Sequence, residues 1–220
     1  MSGNQRVPSQ DISAQFINRM SPRAFDGRAV SESDLMKLFE AARWAPSCFN
    51  SQPWRFVYGL KNTDEWAPLF SLLMDINQKW AANCGALVAV LSKTVFEQSG
   101  QPAPTNSFDT GAAWMSFALQ AREIGLETHA MWGVMHDRVK ETLDLPDDTD
   151  LRAIIAVGYP GDPSSLPDNL RERETPSMRK ELSEIVFKDI GKFVNPAVLA
   201  LTVSKIEDNN FSKRFKSLKN

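Results

Sequence analysis

Two stretches of this chain gather side chains able to hold a ligand. In Asn18-Arg19-Met20-Ser21-Pro22-Arg23, two guanidinium groups and a hydroxyl fall within five residues. A guanidinium presents a planar fork of donors that matches a phosphate or carboxylate, so this stretch suits an anion. Neither GxGxxG nor GxxxxGKS/T occurs, which leaves side chains to do what a glycine-rich loop does with backbone N–H groups. The competing reading is a solvated surface patch. The second stretch, Ala42-Arg43-Trp44-Ala45-Pro46-Ser47-Cys48-Phe49-Asn50-Ser51-Gln52-Pro53-Trp54, sets hydroxyl, amide and aromatic groups between prolines. Prolines pre-set φ and lower the cost of ordering, which fits recognition of a planar heterocycle by amides along an edge and an apolar wall on a face. Here the competing reading is a structural loop whose Trp44 and Trp54 fill the core.

Other reactive side chains are sparse. His129 and His136 are the only histidines, and a structural or surface role suits both. Cys48 and Cys84 belong to no CxxC or Cys/His spacing, so neither a zinc nor an iron–sulfur site is expected.

Alternating helices and strands must position the two stretches. Ile12, Phe16, Ile17 and Met20 share a helical face, predicting a helix over residues 11–20 that Pro22 ends. An anion bound there faces the negative end of the helix dipole, which the arginines have to outweigh. Ser31 and Asp34 form a capping box for a helix carrying Leu35, Leu38, Phe39 and Ala42, stopped by Pro46. Strands are expected at 55–60, 86–91, 127–132 and 152–157, and helices at 64–74, 109–124, 137–143 and 180–186. Gly125 stands where a left-handed cap would close the central helix. Four prolines between residues 160 and 178 predict an extended connector lying on the surface, an arm rather than a domain boundary. Residues 204–220 hold five Lys or Arg against two acids and read as a solvated tail.

At 220 residues with 42% hydrophobic content, one domain with a packed core is the expectation. A net charge of −2 supplies no overall pull toward nucleic acid or an anionic membrane, so a small molecule is the simpler partner. The opening MSGNQRVPSQ has no signal-peptide character, and the aliphatic run at 86–91 is too short to cross a bilayer, which predicts a cytoplasmic protein.

Taken jointly, Arg19-Met20-Ser21-Pro22-Arg23-Ala24-Phe25 and Ala45-Pro46-Ser47-Cys48-Phe49-Asn50-Ser51-Gln52-Pro53-Trp54 resemble the N-terminal signature of the nitroreductase family. Asn77 with Trp80-Ala81-Ala82, Gly111-Ala112-Ala113, Ile124-Gly125-Leu126, Ala156-Val157-Gly158-Tyr159-Pro160 and Arg179-Lys180 extend the resemblance over about residues 11–188. It implies an α+β fold: a central, mostly antiparallel sheet flanked by helices on both faces, in a homodimer. It also implies a flexible N-terminus at 1–10, an FMN-binding domain at 11–188 and a C-terminal extension or tail at 189–220. Six Trp and thirteen Phe are more aromatic surface than one modest core requires, which agrees with a subunit interface.

By that resemblance Arg19, Ser21 and Arg23 hold the FMN phosphate and ribityl chain, and Arg179 returns from the proline-rich arm to complete the anion site. Pro46, Ser47 and Cys48 lie along the isoalloxazine, Asn50 approaches from the dimer partner, and Gln52 is a further contact of the same loop. Asn77 bonds the pyrimidine edge or ribityl chain, while Met131, Trp132 and Gly133 support the ring near N5 through their backbone. Many members carry a lysine where Trp80 stands, and Trp80 brings no such charge. Cys48 occupies what is often a serine and reads as a small hydrophobe rather than a catalytic thiol. No catalytic residue is expected, because the flavin is the reactive group. The implied reaction takes hydride from NADH or NADPH to flavin N5 and on to a nitroaromatic, quinone or activated alkene. Dehalogenation, flavin fragmentation or dehydrogenation on the same scaffold, a non-catalytic flavin-binding protein, and a cofactor-free α+β protein are the alternatives.

Overall fold

In a computed structural model, residues 5–188 are described. The chain divides into two units, Met1–Pro176 and Ser177–Asn220. The tail expected at 204–220 and the extension at 189–220 lie outside the described residues.

The first unit is built on a four-stranded sheet of β1 (Trp54–Leu60), β2 (Ala86–Lys93), β3 (Glu127–Met131) and β4 (Thr149–Gly158), in the order β1-β2-β4-β3. Every pair is antiparallel. Residues 86–92 of β2 are all buried, because helices cover both faces. Period-two alternation sends Leu87, Ala89, Leu91, Ile154 and Ala156 into one core with Leu69, Leu72, Leu73 and Trp80. Ala86, Val88, Val90, Ile155 and Val157 enter the other with Leu35, Leu38, Ala42, Ala113 and Phe117.

The helices are α1 (Ala14–Asn18), α2 (Glu32–Arg43), α3 (Trp66–Ser71), α4 (Asp75–Ala81), α5 (Asn106–Glu123), α6 (Val139–Thr142) and α7 (Asp168–Arg171), with α8 (Leu182–Ile185) in the second unit. Ser31 caps α2 as expected, its Oγ accepting from the Asp34 N–H at 3.0 Å. Gly125 follows α5 at φ 81°, the left-handed position its type suits. Among the described residues, no helix is long and apolar enough to cross a membrane.

Three expectations need correction. The helix over 11–20 shrinks to α1, which buries nothing and leaves Ile12 and Phe16 exposed. Arg19 turns extended at its end, and the Arg6 guanidinium takes the Ile17 and Arg19 carbonyls at 2.9 and 2.8 Å. The helix over 64–74 shortens to α3, because Leu73 pairs with Val134 and the Met74 N–H donates to the Gly133 carbonyl. A further helix, α4, opens at Asp75, where none was expected. The arm after Pro160 lies largely on the surface as expected, but it is not extended throughout. Pro163 opens a 3-10 turn capped by Asp162, Pro167 precedes α7, and these turns anchor Leu166 and Leu170 in the core. Pro163 and Pro167 serve as helix starters, a use equally compatible with their fixed φ.

Phe117 is fully buried and meets Phe39, Phe56 and Trp114 with ring centroids 5.5–6.3 Å apart. Phe117→Ala should cost about 3–5 kcal/mol through lost burial and the cavity left behind, read as a fall in the urea midpoint.

Candidate functional site

The arginine-bearing segment is lashed along the end of β4. Phe25 bridges Pro160, the Gly161 N–H donates to the Ala24 carbonyl at 2.8 Å, and the Asp26 N–H donates to Tyr159 at 3.2 Å. The Arg19 guanidinium donates to the Met20 carbonyl at 2.9 Å and reaches Ser21 Oγ at 3.4 Å. The Pro22 carbonyl sits 2.9 Å from His129 Nδ1, so the imidazole donates through that nitrogen. The Arg23 and Ala24 N–H groups donate to the two carboxylate oxygens of Glu174, at 2.8 and 3.3 Å. The Arg23 guanidinium lies 3.7 Å from Glu174 Oε1 and 6.0 Å from the Trp80 ring.

Trp80 is the floor of this segment. Its side chain is only 1% exposed, stacks with Phe25 at 6.2 Å and meets His129 at 4.7 Å. Trp80 is therefore a packing residue. Burial pushes the His129 imidazole down to about 4; the Pro22 carbonyl pulls the other way, and the Arg23 and Arg19 charges push it lower. His129 is thus neutral at physiological pH, the structural role expected of it.

Asn77 shares α4 with Trp80, and its amide donates to the Gly133 carbonyl at 3.0 Å. A Cβ at position 133 would stand 2.6 Å from the Asn77 amide nitrogen, so glycine is what permits this approach. Met131 turns its side chain into the core, whereas Trp132 is 65% exposed with its ring 4.1 Å from His136. The segment 131–133 is thereby presented by its backbone and by one outward indole.

The loop before β1 is tightly wound. Phe49, Asn50 and Gln52 adopt φ of 52°, 54° and 47°, a left-handed conformation that costs non-glycine residues energy. Ser47 Oγ accepts from the Gln52 N–H at 3.0 Å, and the Gln52 amide donates to Asn50 Oδ1 at 3.2 Å. Asp109, buried near the start of α5, accepts from the Cys48 N–H at 3.1 Å and the Thr105 hydroxyl at 3.0 Å. Pro46 and Asn50 are exposed, Ser47 and Cys48 half-buried, and Phe49 is 89% exposed. Trp54 fills the core as one reading of the loop expected, but Trp44 lies outside, its indole donating to Glu40.

Strand register decides which predicted residues meet. Trp54 pairs with Ser92 at one end of β2, and Ala86 pairs with Val157 at the other. Six residue steps at about 3.3 Å separate those ends by about 20 Å. The loop at 46–52 leads into the first end, and the arginine segment is tied to Tyr159 and Pro160 at the second. Within one chain, Arg19, Ser21 and Arg23 therefore gather with Trp80 and His129, and Asn77 with Gly133, while Pro46 to Gln52 stand apart. Arg179 belongs to the second unit, where its guanidinium donates to the Ser177 carbonyl and hydroxyl at 3.1 and 2.9 Å.

The family model described as the nitroreductase family matches residues 17–69 and 59–159. The chain belongs to the nitroreductase family. A solved oxidoreductase containing FMN is 42% identical to it, with a TM-score of 0.81 over 86% of this chain and 96% of that one. A solved nitroreductase-family protein from Streptococcus pneumoniae is 21% identical, with a TM-score of 0.63 over 78% of this chain and 96% of that one, and shares the fold. The NADH dehydrogenase of Thermus thermophilus is 25% identical over 185 residues, covering 71% of this chain and 90% of the relative.

In this nitroreductase-family chain, Glu174, Asp109 and Arg6 are the polar groups around the segments that sequence reasoning missed. Asp109 had a faint signal, a threonine four residues before it at a helix start. Glu174 had none, since nothing in Glu172-Arg173-Glu174 distinguishes it from its solvated neighbours.

The depressed His129 predicts an acid dependence of stability. Above roughly 6.5, the unfolded value, neither state holds the proton; between there and about 4 only the unfolded chain takes it up. Stability should fall as pH drops through this window, and the wild-type decline in urea midpoint should exceed that of His129→Asn.

Proposed function

We propose that this chain is a cytoplasmic, homodimeric FMN-dependent oxidoreductase that takes hydride from NADH or NADPH and passes it to a small oxidant such as a nitroaromatic, quinone or activated alkene. The observation that carries this reading is the clustering of Arg19, Ser21 and Arg23, a donor set suited to an anion, in a chain 42% identical to an oxidoreductase containing FMN. The donor set suits FMN. Two guanidinium groups offset a dianionic phosphate, Ser21 adds a hydroxyl beside Arg19, and the Asn77 amide offers a donor and an acceptor to a ring edge.

When bound, the flavin supplies a hydride acceptor at N5. Arg19, Ser21 and Arg23 would hold the phosphate and ribityl chain, and Asn77 the pyrimidine edge or ribityl chain. The backbone of Met131, Trp132 and Gly133 would support the ring near N5. Pro46, Ser47, Cys48, Asn50 and Gln52 would line the ring from across the interface, which is what their attachment to the opposite end of the sheet from the arginine segment favours. The exposed Phe49, Phe108 and Trp132 are apolar surface that a second copy would cover. Two candidates for acid–base or nucleophilic work are unsuited to it. His129 is held neutral, and burial pushes the Cys84 thiol up to about 12.

The purified protein should absorb near roughly 450 nm, and the band should bleach on anaerobic addition of NADH or NADPH. A yellow protein that neither reductant bleaches would count against the oxidoreductase reading, and a folded, colourless protein that ignores added FMN would end it. Arg19→Ala should weaken FMN roughly tenfold to a hundredfold, the worth of a charge-assisted hydrogen bond, measured by fluorescence titration.

A further inference from the structure

Glu174 lies at the far end of the chain segment that follows β4, yet it holds the segment that carries Arg23. Its side chain is only 4% exposed. Both carboxylate oxygens accept backbone N–H groups, Oε1 from Arg23 at 2.8 Å and Oε2 from Ala24 at 3.3 Å. The Arg23 guanidinium stands 3.7 Å from Oε1, an ion-pair distance beyond hydrogen-bond length, so the carboxylate steadies that charge while its close contacts go to the backbone. A buried carboxylate requires such partners, and two buried N–H groups require an acceptor; each need meets the other.

We propose that Glu174 is a positioning residue for FMN, bracing residues 23–24 so that the Arg23 guanidinium is aimed at the phosphate; this rests on the functional reading above. The charge pattern agrees. Arg23 has Arg173 close enough to act on it, and Glu174 opposes that repulsion. One carboxylate among these arginines steadies the cluster and leaves net positive charge for a dianion. A glutamine in its place offers one acceptor and one donor, so one of the two backbone N–H groups loses its partner.

The test uses the full chain carrying Glu174→Gln, with its fold checked by circular dichroism. Amide exchange followed by NMR should show Arg23 and Ala24 protected in the wild type and at least one of the two exchanging about tenfold faster or more in the variant. The Kd for FMN should rise about tenfold, while that for riboflavin, which lacks the phosphate, should stay within about twofold. In an Arg23→Ala background, Glu174→Gln should change FMN binding by less than about twofold, since its effect passes through Arg23. Equal losses for FMN and riboflavin, or additive effects with Arg23→Ala, would reduce Glu174 to general packing and overturn the proposal. Unchanged amide exchange would overturn the brace itself. A wild-type chain that binds neither flavin would remove the functional reading and the FMN role with it, while the exchange data would still decide whether the brace exists. Should Glu174→Gln fail to fold, Glu174→Asp, which keeps the charge but is one methylene shorter, is expected to loosen the same two amides.

Discussion

The middle of the two central strands leaves no room for polar work on the sheet. Residues 86–91 of β2 and 154–157 of β4 are packed on both faces, and each face there is a continuous layer of Val, Leu, Ile and Ala. An unpaired polar group placed there would cost more than a ligand contact returns, so the candidate binding groups lie off the sheet, at strand ends, in loops and, for Asn77, on α4. That constraint explains the geography of the molecule. The arginine segment is tied to the exit of β4, and the strained loop at 46–52 feeds the start of β1. A sheet between them sets the two segments at opposite strand ends.

At the arginine end, the structure solves an electrostatic problem with neutral and buried parts. A helix C-terminus disfavours negative charge; α1 is short, and Arg6 takes the Ile17 carbonyl within it and the Arg19 carbonyl just beyond it. Beneath the segment, Trp80 and a neutral His129 provide an apolar platform without adding charge. Glu174 then satisfies backbone groups that the segment, being neither helix nor strand, cannot satisfy itself.

Where local rules sufficed, the chain was readable in advance. The Ser31 cap, the left-handed Gly125, the continuous apolar run of β2 and the 3.6-residue period of α5 each depend on a few neighbours, and each stands where expected. Where a distant partner intervened, reading failed. Met74 leaves the helical path because Gly133 offers its carbonyl, and the proline-rich segment turns inward at Leu166 and Leu170 because a hydrophobic core waits for them. Prolines mark a turn without saying whether it faces water or the core.

By itself the sequence determined the types of chemistry on offer: arginines and a serine for an anion, a proline-bounded amide loop, no phosphate loop and no metal spacing. It determined the fold class too, through hydrophobic period and through two motifs whose joint match marks the family. Only the tertiary structure decided which of those residues meet. Register along β2 puts the arginines and the loop at opposite ends of the sheet, and burial turns Trp80 into a floor and Glu174 into a brace. The reason is physical: residue type sets what a side chain is able to bond, whereas burial and register, which are properties of the whole chain, set what it does bond.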